Sequence, residues 1–178
     1  MLPIKLGKRR TDPHFKGSEK LFRRVPLDHL NNLGEVEPSK IQVSFKSDVA
    51  SSPSVLRSKY ATVLDLLHSL CGCDMEIPCR AFFLRVSDLP KEVPAGTGDL
   101  FDFKAFHEPL DLCYAHTVVG CCKSGDQTAQ HVKPSRAVRN DFRTKFALAL
   151  KPAPKSTKLQ NLILKSWRGL QFLFGSKA

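Results

Sequence analysis

Charge in this chain is sorted by region, and that sorting limits which segments can share a core. Residues 1–24 carry a net charge of +6, residues 25–112 carry −5 and residues 113–178 carry +10, for a total of +11 over 178 residues. A polar, charge-rich segment buries too little apolar surface to offset the entropy of ordering. Within the first 40 residues Gly7, Pro13, Gly17, Pro26, Gly34 and Pro38 also interrupt every candidate element. The sequence therefore predicts a flexible basic arm over residues 1–40, with one short amphipathic turn at 27–33. It places the folded body at 41–178. With 42% apolar and 25% charged residues the balance is that of an ordinary globular chain.

Hydrophobic periodicity supplies the expected elements of the body. IQVSFKS, from Ile41, alternates apolar and polar residues with the period of a strand wet on one side. Ser52 and Pro53 form a helix-start signature. Leu56, Tyr60, Val63, Leu67 and Leu70 follow at helical spacing, with Gly72 as a stop, which predicts a helix over 52–70. RAFFLRVS at 80–87 reads as a central strand. The stretch up to about Asp102, containing Pro90, Pro94, Gly96 and Gly98, reads as an exposed loop, and 110–122 as a long strand. FRTKFALAL at 142–150 alternates strictly and is predicted as a strand, and an amphipathic helix is predicted from about Thr157. The expected fold class is α+β: a single compact domain with a twisted, largely antiparallel sheet packed against helices, plus the disordered basic arm.

The candidate binding residues are the basic clusters, because a polyanion attracts Lys and Arg whatever else it carries. The first set is Lys5, Lys8, Arg9, Arg10, Lys16, Lys20, Arg23 and Arg24. The second is Lys133, Arg136, Arg139, Arg143 and Lys145. On the terminal helix Trp167, Arg168, Phe172 and Phe174 suit either a membrane interface or packing against the sheet. The acidic middle, with Glu35, Glu37, Asp99, Asp102, Glu108 and Asp111, is a counterpart for the basic arm of a second copy. The Lys8-Arg9-Arg10 triplet is a weak nuclear-import signal.

Enzyme motifs are absent. The chain has no G-x-S-x-G, no G-x-x-x-x-G-K-[ST], no H-E-x-x-H and no dinucleotide-binding glycine pattern. No catalysis and no cofactor is expected. Six cysteines stand at Cys71, Cys73, Cys79, Cys113, Cys121 and Cys122. The opening MLPIKLGKRR lacks the apolar run of a secretory signal, so the expectation is a cytosolic chain with core thiols. A zinc site built from these cysteines with His116 and His131 is the sharper alternative, although their spacing is not that of paired C-x₂₋₄-C turns.

The order of elements over 41–150 resembles the matrix proteins of rhabdoviruses, the short ones of plant-infecting members most closely. The likeness lies in IQVSFKSDVASSPSVLRSKYATVLDLLHSLCG followed by CRAFFLRVSDL, in the later FRTKFALAL and in the basic amino end. The resemblance implies a compact α+β body with a mobile basic arm. It implies a non-enzymatic role in condensing the viral nucleocapsid and linking it to the inner face of an anionic membrane, by self-association and electrostatic contacts. Location in the virion, and in host cytoplasm peripheral on membranes, would follow. Relatives from animal viruses carry PPxY or P[ST]AP motifs near the amino end and this chain has neither, which leaves recruitment of budding machinery without a sequence basis. The competing expectation is a soluble basic RNA-binding protein, such as a viral silencing suppressor or a ribonucleoprotein accessory factor, for which nonspecific nucleic acid is the partner.

Overall fold

The structure is a computed structural model that describes residues 11–41, 53–63, 66, 78–110, 113–125 and 132–154. Its centre is a curled antiparallel sheet of seven strands: β1 (Lys20–Pro26), β2 (Ser54–Arg57), β3 (Cys79–Arg85), β4 (Val93–Pro94), β5 (Leu100–His107), β6 (His116–Lys123) and β7 (Lys151–Pro152). They lie side by side in the order β4-β5-β6-β2-β1-β3-β7. One helix, α1 (Arg136–Ala149), packs against the sheet.

Strand alternation sorts the side chains onto two faces. On β1, Leu21 and Val25 face one way and Phe22 the other. Their partners across the β1–β3 ladder, Leu84 for Leu21 and Phe83 for Phe22, follow suit. The larger core gathers Leu21, Val25, Phe82, Leu84, Phe103 and Val119 under the buried stripe of α1. The Phe142 ring stacks on Phe103 at 4.1 Å and on Phe146 at 5.0 Å between centroids. A smaller cluster of Phe22, Leu56, Ala81, Cys113 and Ala115 sits on the opposite face.

The expectation of a sheet packed against helices is overturned. Among the described residues a single α-helix of appreciable length faces a seven-stranded sheet, and the sheet dominates the architecture. Three local readings change with it. First, residues 20–26, expected within a flexible arm, form a strand in the interior of the sheet, paired with β3 along its whole length. Each Arg of this segment has an apolar neighbour that is buried, and strand alternation lets the cations and the core coexist. Second, residues 54–57, expected as helix, form β2 between β6 and β1, where Val55, Leu56 and Arg57 are all buried. A strand covered on both faces has no polar side, so its residues mimic part of a helical pattern.

Third, residues 142–149, expected as a strand, belong to α1. Phe142 and Phe146 are four apart and so share a face in either conformation. Leu148 decides between them: it would join them inside on a strand, whereas it is 78% exposed. Val138, Phe142 and Phe146 recur every four residues as the buried stripe, and the Ser135 hydroxyl caps the helix by accepting from the Val138 N–H. The strand expected at 80–87 is present as β3, and that expected at 110–122 is a strand only in its second half, β6, because Leu110 and Cys113 bond to each other across a turn. The loop expected up to residue 102 contains β4 and the start of β5. Most of the strand expected at 41–47, all of the helix expected from Thr157, and with it Trp167, Arg168, Phe172 and Phe174, lie outside the described residues.

Candidate polyanion-binding site

Alternation on β1 splits the first basic set. Lys20 and Arg23 are three residues apart and therefore on opposite faces. The Lys20 amine lies 4.8 Å from the centre of the Phe83 ring, and the Arg23 guanidinium lies 5.8 Å from that of Phe146 on α1. Lys16 is exposed in the turn before β1, and Lys5, Lys8, Arg9 and Arg10 lie outside the described residues.

Among the described residues, half of β1 has no strand paired on its β2 side. β2 pairs with β1 through Leu21 and Phe22, and the ladder with β3 continues to Pro26 on the other side. Along the edge beyond Phe22 lies a pocket of about 180 Å³. It is lined by Arg23, Arg24, His29 and Lys40 together with the apolar Val25, Pro26, Val36 and Ile41, and alternation puts the Arg24 side chain on the strand face opposite that of Arg23. The segment after β1 folds back to complete it. A 3-10 turn at Leu27–His29 leads into a tight loop in which the Gly34 N–H donates to the Asn31 carbonyl at 2.8 Å. Gly34 adopts φ +76°, a conformation natural to glycine. The Glu37 N–H then donates to the His29 carbonyl at 2.9 Å, and a second 3-10 turn, Pro38–Lys40, brings Lys40 and Ile41 to the pocket.

The second basic set approaches the same place. Arg143 of α1 donates from Nε to the Ile41 carbonyl at 3.1 Å and from Nη1 to Asn140 Oδ1 at 3.0 Å. Lys145 is held by Asp141 at 2.8 Å, and Lys133 and Arg136 are exposed. Arg139 is half-buried, and its Nε has no hydrogen-bond partner among the described residues. The fold thus brings Arg23 and Lys40 to one pocket and Arg143 to the carbonyl of Ile41 in its wall, although more than a hundred residues separate Arg143 from Ile41 in the sequence. No carboxylate lines the pocket; Glu35 is turned to the Asn31 side-chain amide at 3.1 Å. Burial pulls the Arg23 guanidinium down to about 10, because desolvation penalises its charged form. Lys40 went unnoticed in the sequence because it stands alone between Ser39 and Ile41.

A contrasting cationic site lies across β2. Arg57 is fully buried, donating to both carboxylate oxygens of Glu19 at 2.7 and 3.0 Å and to the carbonyls of Asp12 and His14 at 2.8 and 2.7 Å. Its guanidinium stacks over Phe15 at 3.9 Å. Burial alone would lower its pKa, but Glu19 first and Asp12 second hold it above the ordinary value. Asp12 also accepts from Lys59 at 2.7 Å and from the Tyr60 hydroxyl at 2.6 Å, and these bonds hold its carboxyl well below the usual range.

The Asp12 N–H donates to His107 Nδ1 at 2.9 Å, and His107 Nε2 donates to the Tyr114 carbonyl at 2.6 Å. This arrangement requires a neutral ring protonated at Nε2. Burial, seconded by the Arg57 charge, lowers the His107 pKa and favours that state, while the Tyr114 carbonyl works the other way. The sequence reading passed over this clamp, whose one signal is an Arg directly after the apolar pair Val55-Leu56.

The histidines and cysteines weighed as chemical groups have defined surroundings. His116 meets the Glu108 carbonyl at 2.7 Å and the Ser54 hydroxyl at 3.2 Å. Burial pushes the Cys121 thiol up to about 12, so at neutral pH it is protonated and a poor nucleophile. Cys79, Cys121 and Cys122 are free thiols, whereas Cys113 is disulfide-bonded, which differs from the expectation of thiols throughout. Among the described residues no three His, Cys, Asp or Glu side chains converge as metal ligands, and no helix is long and apolar enough to cross a membrane. His131, Cys71 and Cys73 lie outside them. No family model matches the chain, and neither a curated protein nor a solved structure matches it at a significant level.

Proposed function

We propose that the protein is a non-enzymatic structural protein that docks on polyanions. In this reading it is matrix-like, joining a nucleocapsid to the anionic inner face of a membrane by self-association and electrostatic contact. The observation that carries the reading is a pocket lined by Arg23 and Lys40 with no lining carboxylate, and Arg143 bonded to the carbonyl of Ile41 in its wall. Among the described residues no carboxylate pairs with Arg23 or Lys40, which raises the local potential, and a low-dielectric wall such as Val36 and Ile41 focuses it. The basic residues 1–10 precede a segment that Arg57 clamps to the sheet, so that cluster is tethered to the folded body by its carboxyl end. The reading does not draw on the helix-backed sheet that the family resemblance implied.

The test is flotation of purified, nuclease-treated protein with neutral and with anionic liposomes, at low and at physiological salt. Co-flotation with anionic vesicles that survives physiological salt is the expected result. Failure to float under every condition, together with tight and salt-steep RNA binding, replaces the proposal with a soluble RNA-binding role.

A further inference from the structure

We propose that the pocket beside β1 is a binding site for a single phosphomonoester group, held by Arg23 and Lys40 against the apolar wall of Val36 and Ile41. The inference rests on the polyanion-docking reading and narrows it from a charged surface to one site.

Size is the first argument. At about 180 Å³ the pocket is smaller than the roughly 300–1,000 Å³ of pockets that enclose drug-sized ligands. It suits one compact headgroup and not a length of strand. Donor chemistry is the second. Guanidinium groups present forked N–H donors that match phosphate oxygens, and a lysine adds a compact charge. Arg23 and Lys40 provide two formal positive charges against a dianion, and His29 also lines the pocket.

The state of Arg23 is the third argument. Its Nη1 donates to the Ser54 carbonyl at 3.2 Å, and among the described residues no carboxylate pairs with it. A half-buried guanidinium satisfied only by a neutral carbonyl gains from a bound anion, because the desolvation has already been incurred in the free protein. Arg57, one strand away, has a Glu in the corresponding role. Preformed backbone on both sides, β1 and the turn at Pro38–Lys40, fixes the donors before the ligand arrives.

The experiment is a titration of the full-length, ¹⁵N-labelled protein with inorganic phosphate at an ionic strength held constant with chloride. Saturable amide shifts confined to residues 23–26, 29, 36 and 40–41 are expected. Binding by Lys40→Gln should be about tenfold weaker, the loss expected for one charge-assisted hydrogen bond. Lys40 is exposed, so this variant spares the fold, and Lys91→Gln, an exposed lysine remote from the pocket lining, should bind as the wild type does. Shifts that never saturate, or unchanged affinity in Lys40→Gln, overturn the proposal.

A second arm compares vesicles of phosphatidic acid, a monoester, with vesicles of phosphatidylserine at equal charge density. A preference for phosphatidic acid that Lys40→Gln abolishes identifies a lipid headgroup as the source. Saturable phosphate binding without that preference identifies a free phosphate compound. Failure to bind any vesicle counts against the membrane-docking reading alone, since the phosphate titration decides the pocket separately.

Discussion

Arg57 and Arg23 stand on adjacent strands of one sheet and meet opposite electrostatic surroundings. Arg57 is fully buried, bidentate with Glu19 and stacked on Phe15, and it anchors residues 12–19 to the sheet. Arg23 is half-buried beside Phe146, with a carbonyl for its hydrogen bond and a cationic pocket alongside. The difference is one of matching. A cation matched by acids of its own chain holds the fold together, and one with no carboxylate partner among the described residues is the kind that gains from an anion supplied from outside. The comparison also separates the basic residues by role, which counting charges along the chain cannot do.

The comparison breaks most visibly at Arg57. Arg57→Ala should lower unfolding free energy by about 3–5 kcal/mol, because it strands buried carboxylate charge and removes donors from two carbonyls. Denaturant unfolding followed by circular dichroism measures this, and a loss below about 1 kcal/mol would show that the clamp is not a structural anchor. Glu19→Gln should cost less, on the order of 1.5–3 kcal/mol, since it keeps a hydrogen-bond acceptor but leaves Arg57 with Asp12 as its carboxylate.

Acidity tests the same clamp from the side of His107. Its pKa in the folded protein is below the ordinary 6.5, so the unfolded chain takes up the proton first as pH falls. The stabilisation is fully present above pH 6.5 and declines from there toward the lower folded value. Protonation at Nδ1 also removes the acceptor for the Asp12 N–H. Midpoints measured from pH 7.5 downward should therefore fall, and the same slope in His107→Asn would assign the effect to another group. A second decline is expected below about pH 3.9, where the Asp12 carboxyl, lowered in the fold by Lys59 and Tyr60, is protonated in the unfolded chain.

The smallest effect on stability is expected at Arg23 and sharpens the contrast. Arg23→Met keeps the apolar stem over Phe146 and removes a desolvated charge, so stability should change by no more than about 0.5 kcal/mol. Anion binding should fall at the same time. A loss of stability as large as that of Arg57→Ala would place Arg23 in the structural class and remove the distinction.

Where the sequence reading succeeded, one structural type explained the pattern uniquely. AFFL within β3 is too densely apolar and aromatic for an exposed segment, and TVVGCC within β6 is β-branched and buried along its length. Where it failed, two conformations shared a pattern. Phe142 and Phe146 fit both a strand and a helix, and Leu148, whose exposure separates them, is apolar and so carried no sign of its position. β2 read as helix because an apolar stretch covered on both faces has no phase of its own. β1 read as arm because three of its seven residues are cations, although Leu21, Phe22 and Val25 suffice to hold it in the sheet.

The sequence by itself determined the cationic character of the chain, the residues that carry it and the strands at β3 and β6. These follow from composition and short-range periodicity, which are local properties. Only the tertiary structure decided that residues 20–26 are interior, that among the described residues Arg57 has a matching carboxylate and Arg23 has none, and that Lys40 meets Arg23 at one pocket with Arg143 bonded beside it at Ile41. The physical reason is that the partner of a charge is a matter of distance in space. Glu19 and Arg57 are 38 residues apart, and Arg143 and Ile41 are 102, until pairing of the strands and packing of α1 close those gaps.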